Sequence, residues 1–255
     1  MTPRFRQSYL KDDLYQYGKG TIFVGSVADW GCPEVDLHWI QDVLNHCHEF
    51  PENTYLFQSK NPDIFLRLQH PLFRPGFPEN TILATTMETN YSGARYRELT
   101  GCKARQTPWE RMFAMRAIAK FTTMITVEPV VDFKPVAFCN YIAYSRVDIV
   151  TIGANSYYNA CPLQEPSAED IEELVSRLSL NGNIKAVILK SNLKRLLGGK
   201  VLDYPKVYDM SKKKKGDGGL TGHGRALGWE DAILLPRGVF TDHWLRTRHV
   251  QKLRY

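Results

Sequence analysis

Thr81-Ile-Leu-Ala-Thr-Thr-Met-Glu-Thr-Asn90 reads as a short strand that ends in polar groups. Its first half, Thr81 to Thr85, is apolar or β-branched on both faces, and its second half turns polar at Thr86, Glu88 and Asn90. A strand without a polar face has to be buried on both sides, which is the condition of a parallel sheet covered by helices. The pattern recurs before and after this segment, at Thr21 to Gly25, Thr54 to Gln58, Thr123 to Val127, Val147 to Ile152 and Ile184 to Leu189. Successive starts lie 24 to 42 residues apart, room for a strand, a crossover helix and two loops.

The intervening segments carry helical spacing. Leu37, Ile40, Val43, Leu44 and Cys47 follow i, i+3, i+4 periodicity, as do Ile171, Leu174, Val175 and Leu178. Ser167 supplies a cap for the latter helix, with Asp170 three residues on, near the positive end of the helix dipole. Pro108 to Phe121 and Pro135 to Tyr144 give two more helices. Such alternation predicts an α/β fold, either a (βα) barrel or an open doubly wound sheet. Phe50-Pro-Glu-Asn-Thr54 and Phe77-Pro-Glu-Asn-Thr81 repeat one turn signal that leads straight into a strand.

Polar groups follow every predicted strand: Ser26 and Asp29; Lys60 and Asn61; Thr86 and Glu88; Glu128; Asn155; Lys190 and Asn192. In parallel α/β proteins the carboxyl ends of all strands lie at one edge, so these groups are expected to converge on one site. Two lysines and three acids at the ends of buried strands are hard to place otherwise, since an unpaired charge there is costly. Other constellations carry less. His46-Cys47-His48 cannot close on one metal ion from a helix, where adjacent side chains diverge by about 100°. No Gly-x-Ser-x-Gly elbow is present to start a hydrolase triad.

In combination, Tyr17 to Asp29, Asn53 to Pro62, Thr81 to Asn90, Ile125 to Pro129, Asp148 to Asn155 and Ile188 to Leu193 resemble, in order, an uncharacterised phage-associated branch of the radical S-adenosylmethionine (radical SAM) proteins. The resemblance spans about residues 9 to 197 and implies an incomplete parallel (βα) barrel of the radical SAM type. It implies that Gly25, Ser26, Asp29, Thr86, Glu88 and Gly153 stand where such proteins hold SAM; Lys60, Glu128, Lys190 and Asn192 match positions particular to this branch, and together with Asn61 and Asn155 they are the further strand-end site candidates. The family's C-x-x-x-C-x-x-C, whose soft thiolates hold a four-iron cluster, is absent from this sequence. The strand at Thr21 matches the family's second, so the barrel is expected to lack its first strand, with the missing unit lost or encoded upstream of Met1. An iron–sulfur cluster is therefore not expected from this chain alone, nor is radical hydrogen abstraction, and no metal ligand is assigned.

Composition agrees with a folded chain: 255 residues, 43% hydrophobic and 24% charged. The formal charge of +6 is unevenly placed. Residues 201–255 hold 11 Lys+Arg against 6 Asp+Glu, leaving residues 1–200 with 22 against 21. A division follows, into a partial barrel over 1–200 and a basic, Gly-rich linker and extension over 201–255, with 211–226 as the linker. Lys212 to Lys215 make nucleic acid a candidate partner through the tail, so a nucleotide- or nucleic-acid-binding module is the alternative function. No run of about 18 apolar residues offers a membrane span, and no apolar stretch follows Arg4 and Arg6 as a signal peptide requires. Five cysteines at irregular spacing lead to the expectation of reduced thiols and a cytoplasmic protein.

Overall fold

The computed structural model describes Phe5, Leu10, Lys11, Leu14 and residues 20–25, 29–102 and 104–210. The calls on Ser26 and on residues 211–255 fall outside them. Seven strands are present among the described residues: β1 (Thr21–Val24), β2 (Thr54–Gln58), β3 (Thr81–Thr86), β4 (Thr122–Val127), β5 (Ile149–Ile152), β6 (Ala186–Leu189) and β7 (Val207–Asp209). The helices between them are α1 (Leu37–His48), α2 (Asp63–Leu68), α3 (Gly93–Thr100), α4 (Pro108–Arg116), α5 (Pro135–Ser145) and α6 (Ala168–Leu180).

The strands lie in sequence order, β1 to β7, and every neighbouring pair is parallel. The order never reverses, as it must in a doubly wound sheet. Right-handed crossovers that always advance by one strand put their helices on one face. Side-chain packing agrees. Tyr55, Phe57, Leu83, Ile125, Val127, Val150, Ile152, Val187 and Leu189 pack in one cluster with the apolar faces of α1, α2, α4, α5 and α6. The alternate positions Leu56, Ile82, Ala84, Met124, Ile149, Ala186 and Ile188 form a second cluster, joined by Phe23, Tyr208 and Met210, to which no helix contributes. Strand side chains packing on one another on the face opposite the helices are consistent with a partial (βα) barrel-like fold.

Local chemistry sets these elements. The repeated turns lie side by side: Asn80 Nδ2 donates to the Pro51 carbonyl at 3.1 Å, and Tyr55 N donates to the Asn80 carbonyl at 2.8 Å. Ser167 caps α6, its hydroxyl accepting from Asp170 N at 3.0 Å. α4 opens with a capping box between Thr107 and Glu110 and has Pro108 in its first turn.

Three expectations need correction. α4 stops at Arg116 rather than Phe121, because the chain must turn there to enter β4 beside Ile82. α2 and α3 are additional, too short to register as a period. The sheet continues past residue 200, since β7 pairs with β6 through Val187 and Val207, so a boundary at 200 cuts off its last strand.

Candidate functional site

The rim is the inward-facing pattern carried past the strand ends. Side chains alternate at period two, so the cluster residues Leu56, Ala84, Met124, Ile149 and Ile188 are followed on the same side by Gln58, Thr86, Thr126, Thr151 and Lys190. Gln58 bridges its neighbours there, donating to Thr86 Oγ1 at 2.9 Å and accepting from Thr126 Oγ1 at 3.3 Å. The next positions are Lys60, Glu88, Glu128 and Gly153. The inner core thus passes through a hydroxyl and amide belt into charge.

The charges form two groups. Beyond β2 and β3, Lys60 Nζ lies 2.6 Å from Glu88 Oε1, and Glu88 Oε2 accepts from Arg111 Nη1 at 3.2 Å and the Tyr96 hydroxyl at 3.2 Å. Arg111 is fully buried, Glu88 is 1% exposed and Lys60 35% exposed. Burial pushes Glu88 up, but the Lys60 and Arg111 charges outweigh it and hold the carboxyl below its ordinary range. Burial likewise works against Lys60, and the Glu88 charge reverses the effect, so the ammonium is retained above its usual value. Arg111 also donates to the Thr86 and Gln106 carbonyls. Removing Glu88 or Arg111, the two buried members, costs about 3–5 kcal/mol.

Beyond β4, β5 and β6 stands the second group. Lys190 Nζ bonds Glu128 Oε2, and Asn192 Nδ2 lies 3.3 Å from Glu128 Oε1 and 2.8 Å from the Ala154 carbonyl. Gly153 makes this closure possible, because a Cβ there would lie 2.7 Å from Glu128 Oε1 and 3.0 Å from Lys190 Cδ. Asn155 Oδ1 accepts from Tyr157 N and its Nδ2 donates to the Cys161 carbonyl, shaping the loop after β5.

That loop and the 3-10 turn Ser191–Arg195 border a cleft of about 320 Å³, lined by Asn155, Ser156, Tyr158, Ser191, Asn192 and Arg195. Arg195 makes a bidentate pair with Glu165, at 2.6 and 2.7 Å, and its guanidinium lies 4.2 Å from the Tyr158 ring centre. A groove of about 370 Å³ along α6 is larger, but two of the acids that line it are already paired, Glu172 with Lys200 and Glu173 with Arg177. The rim cleft is the better chemical candidate.

The positions that the resemblance assigns to SAM are engaged within the protein. Gly25 takes φ +68°, and its Cα faces the Trp30 indole, which donates to the Val24 carbonyl at 3.0 Å. Asp29 accepts from Gly31 N at 2.9 Å, Lys60 N at 3.0 Å and the Ser59 hydroxyl, pinning the loop after β1 to the end of β2. Asn61 Oδ1 holds Gln106 N at 2.9 Å. Among the described residues no three His, Cys, Asp or Glu side chains close on a common point, so they do not fit a four-iron cluster. Asp29 and Glu88, two of the positions the resemblance assigns to SAM, both make contacts within the protein.

Sequence reading missed Tyr96, Cys102, Arg111, Tyr158 and Arg195. Arg111 carried a signal: a charge among Met112, Ala114 and Met115 on the buried side of α4. No protein-family model, curated protein or solved structure matches this chain.

Proposed function

We propose that this chain is a radical SAM-like barrel without radical chemistry of its own, whose carboxyl rim binds a nucleotide-type ligand. The observation that supports the reading best is the cleft beyond β5 and β6. It joins hydrogen-bonding amides and hydroxyls, from Asn155, Asn192, Ser156 and Ser191, to an aromatic face and a guanidinium, from Tyr158 and Arg195. Its volume, about 320 Å³, falls at the small end of ligand sites. Amides and hydroxyls suit sugar and base edges, the tyrosine ring suits stacking, and Arg195 suits a phosphate that competes with Glu165 for the same fork. The parallel sheet, in sequence order and with a charged rim, supports descent from a (βα) barrel.

Calorimetric titration with adenosine monophosphate and with SAM tests the proposal. Binding of at least one is expected, weakened about tenfold in Arg195→Met, the size of one charge-assisted hydrogen bond. Absence of binding by both, or equal affinity in the variant, would contradict it. Anaerobic reconstitution of the same sample with iron and sulfide is expected to leave no stoichiometric four-iron signal in Mössbauer spectra; such a signal would overturn the claim of no radical chemistry. Lys212 to Lys215 favour an extension of the same reading to nucleic acid, in which affinity for an oligonucleotide falls steeply with salt and is lost on deletion of 211–255.

A further inference from the structure

Arg195 supplies the positive charge of the cleft beyond β5 and β6, and its guanidinium fork is already filled. Glu165 Oε1 accepts from Nη2 at 2.6 Å and Glu165 Oε2 accepts from Nη1 at 2.7 Å, so a carboxylate of the protein holds the planar, two-point geometry that an anionic ligand needs. That carboxylate is fixed by its neighbours in the chain. The Gln164 carbonyl accepts from Asp132 N at 2.8 Å, Gln164 Oε1 accepts from Arg95 Nη2 at 2.8 Å, Pro166 is buried, and Ser167 caps α6 immediately afterwards. Arg195 has its own supports: the Tyr158 ring centre lies 4.2 Å from the guanidinium, and Nη2 reaches the Asn155 carbonyl at 3.4 Å. The guanidinium therefore stays at the cleft when the carboxylate leaves it. Side-chain exposures of 32% for Arg195 and 19% for Glu165 put the pair within reach of solutes. Building on the nucleotide reading of the cleft, on which this rests, we propose that Glu165 is a resident competitor for the Arg195 fork and restricts the cleft to ligands that end in a phosphomonoester.

Charge decides which ligand gains from the fork. Displacing Glu165 removes a single negative charge and a pair of oxygens from Arg195. A phosphodiester or a ligand carboxylate brings the same charge to the same fork, so the exchange gains nothing. A phosphomonoester carries a charge of about −1.5 to −2 at pH 7 and one more terminal oxygen than the fork needs, which suits a hydroxyl of the same cleft, Ser156 or Ser191. Its surplus charge outweighs the pair it breaks. The displaced carboxylate is partly exposed and returns to water, which keeps the opposing cost small. An uncharged nucleoside leaves Glu165 in place. Glu165 thus sets a threshold: adenosine monophosphate is held by its phosphate, whereas a diester of it, or the single carboxylate of SAM, gains nothing from Arg195.

Calorimetric titration of the full chain and of its Glu165→Gln variant with adenosine, adenosine monophosphate and the methyl ester of adenosine monophosphate, a diester, tests the role of Glu165. In the wild-type chain the monophosphate is expected to bind about tenfold more tightly than adenosine, and the diester within about twofold of adenosine. Glu165→Gln is expected to tighten the monophosphate and the diester about fivefold, the upper range for a partly exposed ion pair, and to leave adenosine unchanged. A diester that binds the wild type as tightly as the monophosphate overturns the proposal and leaves the nucleotide reading standing. So does a folded Glu165→Gln variant with unchanged affinity for both phosphates. If none of the three ligands binds the wild type, the proposal falls together with the adenosine monophosphate arm of the reading on which it rests. Should Glu165→Gln lose its circular dichroism, the wild-type ranking of the three ligands decides alone.

Discussion

Gly153 shows how one absent side chain shapes the rim. It occupies an inward position between Glu128 and Lys190, and their ion pair closes over its Cα. In Gly153→Ala the new methyl meets Glu128 and Lys190 at contact distances that side chains do not sustain, so the pair must open. The atoms met are the ends of flexible, partly exposed side chains, so the expected cost is under about 1 kcal/mol, the worth of such an ion pair, read as a slightly lowered urea midpoint with unchanged slope. A midpoint equal to wild type would show that the pair does not depend on that space. Asp29, Lys60, Glu88, Glu128 and Lys190 stand out in the sequence because charge at the end of an apolar strand is conspicuous, whereas Gly25 and Gly153 came only from the resemblance. The partners of the charges were hidden. Glu88 and Arg111 are 23 residues apart, and only the packing of α4 against β3 brings them within 3.2 Å.

At the scale of elements, legibility followed burial. β1 to β6 could be read because they are apolar on both faces, whereas β7 is three residues long and offers only Tyr208 to the inner cluster. α2 and α3 span six and eight residues, too few turns for a hydrophobic period to declare itself. α4 was found from its Pro108 start, and its end was misplaced because Ile118 and Phe121 continue the apolar spacing into the turn before β4. This helix carries Arg111 to the rim, so its amino end matters to the site. Thr107→Ala removes the hydroxyl that accepts from Glu110 N and is expected to lower stability by about 1 kcal/mol. The fall in Tm by calorimetry measures it; an unchanged Tm would assign no weight to the capping box.

For the whole molecule, strand order and rim chemistry depend on one another. Because every crossover advances by one strand, all six loops that follow β1 to β6 open at the same edge, and the two charged groups and the cleft lie along it. An order with a reversal would have divided the helices between two faces and placed a ligand crevice at the switch point. The acidic groove along α6 and the aromatic cluster of Trp109, Phe113 and Tyr144 are carried by helices rather than by the strand-end loops that line the cleft. Amide hydrogen exchange with and without saturating adenosine monophosphate tests the claim of a rim site most directly. Slowed exchange is predicted across residues 153–158 and 190–195, the loops that border the cleft. Protection confined to the helical exterior, or no protection at all, would contradict it.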